Sequence, residues 1–317
     1  MAVSVAICVA VPVFAHDNPT GPEGIYVPGT TAVPPSVAEI IDVGGAIVGA
    51  GGRLDTPGLS FQGAYFSDTS DVTSYGAGYV SPNDIAPRVA DPIPEEVDMF
   101  GWADATIAPA QMSYTLKTRS GADNAPADFS LGADAFGAYV FTADYPDLDD
   151  AFTIGANVNF SITGLLTTQN SFAQLGVGVQ FYDVSDGTLN SPLGGFSGFV
   201  SANELDPFVQ NFPSQAVIAT DLGDGLFRTE IDFTLGFEVD LPQDTPVAAI
   251  GALFTGSNGG PGTIFESDSS NSLMVDITPS VPGSWTFNLV GPVVPEPALI
   301  FGWALPIAAL RRWRHLR

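Results

Sequence analysis

Four carboxylates fall within seven residues at Asp144, Asp147, Asp149 and Asp150, in the run DYPDLDD. Hard cations such as calcium are held by oxygens of this kind, taking about six to eight of them. The run lacks the spacing and central glycine of an EF-hand loop, which leaves two readings. One is an irregular calcium site; the other is a solvated turn whose charges block edge pairing ahead of a strand. The loop DLGDG at 221–225 offers the same choice, backbone carbonyls for a shared ion or a plain turn. No cofactor is expected beyond this calcium.

Carboxylates are also the one reactive group in supply, with 35 Asp and Glu in the chain. Two of them about 5–10 Å apart can hydrolyse a glycosidic bond, one as acid and the other as base or nucleophile. The most regular set, Glu230, Asp232, Glu238 and Asp240, alternates along one stretch and reads as a wet sheet face. His16 and His315 are the only histidines and Cys8 the only cysteine, all close to the ends of the chain. Ser-His-Asp and Cys-His catalysis and ordinary zinc sites are therefore not expected. The run GGAIVGAGG at 44–52 invites a nucleotide reading, but no Lys-Ser or Lys-Thr pair and no helix follows it. The chemistry points to a protein that is not an enzyme, with a carboxylate-based hydrolase as the minor alternative.

The elements that position these groups are strands. Residues 227–241, FRTEIDFTLGFEVDL, alternate apolar and polar for fifteen positions, which makes a long strand with one buried and one wet face. Similar alternation runs over 152–162 and, after a polar break, 175–181. Shorter pieces lie at 112–116, 136–141, 247–254, 273–277 and 285–289, with Asp, Asn, Gly and Pro between them. Only 33–41 and 202–211 could be helical. Half-wet strands pair as two antiparallel layers, so the expected fold is all-β, a jelly-roll-like antiparallel β-sandwich with Gly- and Pro-rich loops. Residues 101–291 form its core, and 16–100 are a Gly-, Asp- and Pro-rich part that completes an edge or makes a flap. Within the latter, 61–79 are rich in Ser, Asp, Tyr and Gly, and Tyr65, Phe66, Tyr75 and Tyr79 are the candidates for an aromatic binding platform.

Charge and the two ends speak to location. Residues 16–297 carry all 35 acids against five bases, Arg53, Arg88, Lys117, Arg119 and Arg228, a net charge near −30. Nucleic acid is excluded as a partner by that sign, since phosphate binding needs a basic surface. Residues 2–14 are apolar except for Ser4, and Val13, Phe14 and Ala15 suit cleavage ahead of His16, so 1–15 read as an export signal. At the other end stand Val294, Pro295, Glu296 and Pro297, then an apolar run at 298–310, then the bases Arg311, Arg312, Arg314 and Arg317. Thirteen residues make about 20 Å of helix against a ~30 Å hydrocarbon core, a weak anchor with Pro306 inside it. The clustered arginines favour the cytoplasmic side.

This order of parts over 292–317 resembles the C-terminal sorting tail of bacterial PEP-CTERM proteins, whose Val-Pro-Glu-Pro box is intact here. The resemblance is confined to the tail. It implies recognition by an exosortase-like membrane enzyme, a transient membrane anchor, and delivery to the cell surface or an exopolysaccharide matrix. The sequence thus reads as a non-catalytic exported surface or matrix protein. Its alternative is a carbohydrate-binding module for which exopolysaccharide is the partner.

Overall fold

The computed structural model describes residues 36–42, 44–56, 59–67, 74–81, 84–89, 99–108, 111–123, 129–144, 153–203, 206–280 and 286–291. The export segment, Asp147, Asp149, Asp150 and the whole sorting tail lie outside these. A short helix, α1 (Val37–Asp42), precedes fourteen strands. These are β1 (Ala46–Thr56), β2 (Leu59–Ser67), β3 (Ser74–Ser81), β4 (Asp84–Val89), β5 (Met99–Ala108), β6 (Ser113–Ala122) and β7 (Phe129–Asp144). After them come β8 (Thr153–Asp183), β9 (Ser191–Ala202), β10 (Phe208–Gln210), β11 (Val217–Gly223), β12 (Leu226–Pro242), β13 (Val247–Pro279) and β14 (Thr286–Leu289). All pairings are antiparallel.

Two strands organise the sandwich. β8 and β13, of 31 and 33 residues, pair with each other along nearly their whole length. Their outer edges are divided. The later part of β8 carries β9 and the early part of β13 carries β7, giving one sheet in the order β10, β9, β8, β13, β7, β1, β2, with β14 beside β1 on β7. The early part of β8 carries β12 and the later part of β13 carries β6, giving a second sheet in the order β11, β12, β8, β13, β6, β5, β3, β4. The two sheets face each other, since β7 packs on β5 and β6, β1 on β5 and β3, and β9 on β12. The β8–β13 ribbon is therefore folded double, one half in each layer.

The corner of that fold is visible residue by residue. Asn170 has a φ of 55° and Gly262 of 76°, both in the left-handed region. Between the pairs Gly259↔Ser171 and Ile264↔Gln169, β13 advances five residues while β8 advances two. The extra residues act as a bulge and turn the ribbon over. Buried positions on β8 accordingly switch from even numbers (Phe160, Ile162, Leu166, Thr168) to odd (Ala173, Leu175, Val177, Val179). Across the fold, a methyl placed on Gly164 would lie 2.6 Å from Leu175 Cδ1, so the glycine makes room for the layer above it. The Ser171 hydroxyl donates to the Ile264 carbonyl at 2.8 Å and pins the bend.

β12 alternates without a break, its even-numbered residues from Arg228 to Asp240 exposed and its odd ones turned inward. Phe233 is partly buried and meets Phe160, Phe196 and Phe212 at centroid distances of 5.7, 5.5 and 5.4 Å, an aromatic cluster closing the β9–β12 end. A second, smaller core lies on the outer side of the first sheet, where Val37 and Ile40 of α1 cover Ile47, Phe136, Val140 and Ala248.

Several expectations are corrected. Residues 153–162 and 175–181 belong to one strand, as do 247–254 and 273–277. Residues 208–210 of the expected second helix are the edge strand β10. Of the expected first helix, Val37–Asp42 is helical, and residues 33–35 lie outside the described residues. Within the N-terminal part 16–100, β1 is hydrogen-bonded between β2 and β7, with Ala46 and Val48 in the main core, while β2 and β4 form sheet edges among the described residues.

Candidate functional site

Of the carboxylates singled out in the sequence, Asp147, Asp149 and Asp150 lie outside the described residues. Asp144 ends β7, is exposed, and pairs through its backbone with Thr286 of β14. Among the described residues no group of three or more His, Cys, Asp or Glu is arranged to hold a metal ion. Glu230, Asp232, Glu238 and Asp240 are exposed on the outer face of β12. The DLGDG loop is the β11–β12 hairpin turn: Asp221 Oδ1 accepts the Gly223 N–H at 2.8 Å, and the Asp224 carbonyl accepts the Gln169 side-chain amide at 2.8 Å. The β8–β9 turn is built the same way. There the Thr188 hydroxyl and N–H both donate to Asp186 Oδ1, holding that carboxyl below its usual range. The Asp221 and Asp186 bonds are local turn bonds of Asp side chains, which need no ion.

Cations and acids also meet on the outer face of the second sheet. Arg119 on β6 lies 3.4 Å from Asp268, its register partner on β13, and donates to Glu266, the diagonal neighbour opposite Gly121. Lys117 faces Asp104 at 3.9 Å.

The outer face of the first sheet has the opposite character. Phe199 on β9, Gly176 on β8 and Phe254 on β13 stand side by side in cross-strand register. Phe208 on β10 lies next to Phe199, with centroids 6.3 Å apart, and Phe254 lies on its other side at 6.1 Å. The interplanar angles are 57° and 31°. Gly176 is what allows this row. A methyl there would overlap the Phe254 ring, with three ring carbons within 2.7 Å, so the ring occupies the space over the bare backbone. Phe208 is 62% exposed, the largest such value among the large apolar side chains of the described residues. Gln174, Ser201 and Gln210 border the row at neighbouring register positions on the same strands.

Sequence reasoning had looked for aromatics elsewhere. Tyr65 and Phe66 lie on β2, opposite Ala50 and Gly49 of β1, and Tyr75 and Tyr79 lie on β3 in the other sheet, so the four are split between the layers. Phe199, Phe208 and Phe254 were missed. The available signal was the glycine alternation of 176–178 in an otherwise apolar strand, which marks an outward position left open for a neighbour's ring.

No protein-family model matches the chain, and no curated protein matches it. One solved structure is similar in outline, from work on "the promiscuous specificity of the carbohydrate-binding modules from the beta-sandwich super family". It is 10% identical with a TM-score of 0.19, covering 80% of this chain and 99% of that one, a likeness too low to say anything about a ligand. The described chain is all-β and folds as an antiparallel β-sandwich.

Proposed function

We propose that this chain is a non-catalytic exported protein, displayed at the cell surface or in an exopolysaccharide matrix and processed through its C-terminal tail by an exosortase-like enzyme. One observation carries the reading: the Val294 to Pro297 box, the apolar run and the basic cluster follow in that order in the sequence after β14, the last strand among the described residues. The reading requires the enzyme to handle this tail apart from the sandwich. An acidic, highly charged sandwich suits display, because like charge keeps copies soluble and apart. Deleting residues 294–317 should release the protein into the medium with its fold intact, as read by cell fractionation. Equal surface retention of the full and truncated chains would sink the proposal.

A second reading, a carbohydrate-binding module, is favoured by the aromatic row on the outer face of the first sheet.

A further inference from the structure

The aromatic row allows the ligand class to be named. We propose that Phe254, Phe199 and Phe208 form a stacking platform for a single, soluble chain of a neutral polysaccharide, bordered by the side chains of Gln174, Gln210 and Ser201. The inference rests on the carbohydrate-binding reading and is independent of the tail.

Three observations lead to it. The first is the way the rings lie. An aromatic ring seated flat over a glycine presents its electron-rich face to solvent, and the C–H groups on one side of a pyranose carry the complementary positive charge. Phe254 lies over Gly176, and Phe199 and Phe208 continue the row at spacings of 6.1 and 6.3 Å, roughly the repeat of a hexose chain. The second is charge. A chain of net −26 repels uronate- or sulfate-bearing polymers, and Gln, Ser and Phe border this row, groups that suit hydroxyls rather than ions. The third is the tilt. Rings inclined at 31° and 57° to each other do not make one plane, so the row cannot lie flat on a crystalline polysaccharide face. It fits a separate chain that twists as it crosses β13, β9 and β10.

An exposed phenylalanine row also suits a second copy of the chain, and the test separates the two. The net charge gives the full-length protein good mobility in a native gel, so affinity electrophoresis reads binding directly. The gels would contain hydroxyethylcellulose, mixed-linkage β-glucan, galactomannan or dextran, with alginate as the polyanion. At least one neutral polymer should retard the chain and alginate should not. Phe208→Ala should weaken retardation at least about tenfold without moving the melting temperature, because the side chain is exposed, and Phe208→Trp should restore it. Phe199→Ala should weaken it as well. Failure of every neutral polymer to retard the chain, or equal retardation of Phe208→Ala, would overturn the platform. So would a concentration-dependent dimer in sedimentation that Phe208→Ala abolishes, since the row would then be a contact between copies. Surface retention of the tail-deleted chain bears only on sorting, so the two readings fail separately.

Discussion

Side chains on the two faces of β12 differ in what their loss costs. Phe233 touches three other rings yet remains partly exposed, so Phe233→Ala should cost about 2–3 kcal/mol, toward or below the low end for a buried phenylalanine. Asp232 next to it faces water, and Asp232→Ala should stay within about 0.5 kcal/mol. Denaturant melts of the two variants measure the contrast, and similar costs would show that the strand is turned the other way. Tyr114 poses a different problem. Its ring fills the space beside Gly251, and its hydroxyl is buried without a protein hydrogen-bond partner among the described residues. Its neighbour Tyr139, 6.1 Å away, donates to the Ser113 carbonyl instead. Burial holds the Tyr114 hydroxyl well above its usual pKa, with the Tyr139 charge adding to the effect. The unfolded chain gives up that proton near pH 10 while the folded one keeps it, so stability is whole below about pH 10 and drains away as pH climbs further. Tyr114→Phe should be about 1 kcal/mol more stable at pH 7 and should lose less between pH 10 and 12. Thermal melts across that range would reveal a structural role for the hydroxyl if the variant were weaker at both ends.

At the scale of elements, what was legible and what was not divide along one physical line. β12 was readable because its inner face is almost wholly apolar and its outer face wholly polar. β8 and β13 were not, because near the corner their inward positions are Thr168, Thr255, Ser257, Ser267 and Ser269, buried hydroxyls that look like loop in a hydropathy pattern. Small side chains are wanted there since the layers of one folded ribbon come close, as Ser267 shows by reaching the Gly256 carbonyl at 3.4 Å. The binding candidates were missed for a related reason. Aromatic platforms depend on which residues the sheet brings side by side, and Phe199 and Phe254 are brought together by register rather than by sequence. The corner itself can be tested. Asn170 tolerates its left-handed backbone, as asparagine often does, whereas a β-branched residue does not. Asn170→Val should cost about 1–2 kcal/mol and Asn170→Gly less than about 0.5, measured by denaturant melts. No penalty for valine would mean that the ribbon does not bend at this residue.

Taken whole, the molecule is governed by its charge. Its 35 acids outnumber nine bases, and the ion pairs of Arg119 and Lys117 offset few of them. Raising ionic strength from about 0.01 to 0.15 M shortens the screening length from roughly 30 to 8 Å. The melting temperature should rise over that interval with sodium chloride alone. A fall would show that attractive pairs outweigh the general repulsion.

Both ends of the described chain converge on one residue of β7. Val140 donates its N–H to the Gly45 carbonyl at 2.7 Å, and its own carbonyl accepts the N–H of Val290 at 2.8 Å. Seen as a path, the sandwich is a nearly closed loop with a single doorway, entered at α1 and left just past β14. Such a loop can be spliced into a surface turn of another protein, or cut open at the β11–β12 hairpin and rejoined at the doorway, without rerouting a strand. The aromatic row is far from that point, since Asp134, the β7 neighbour of Phe254, is six residues or about 20 Å along the strand from Val140. Cargo attached at the doorway would therefore sit about 20 Å from the rings, measured along β7.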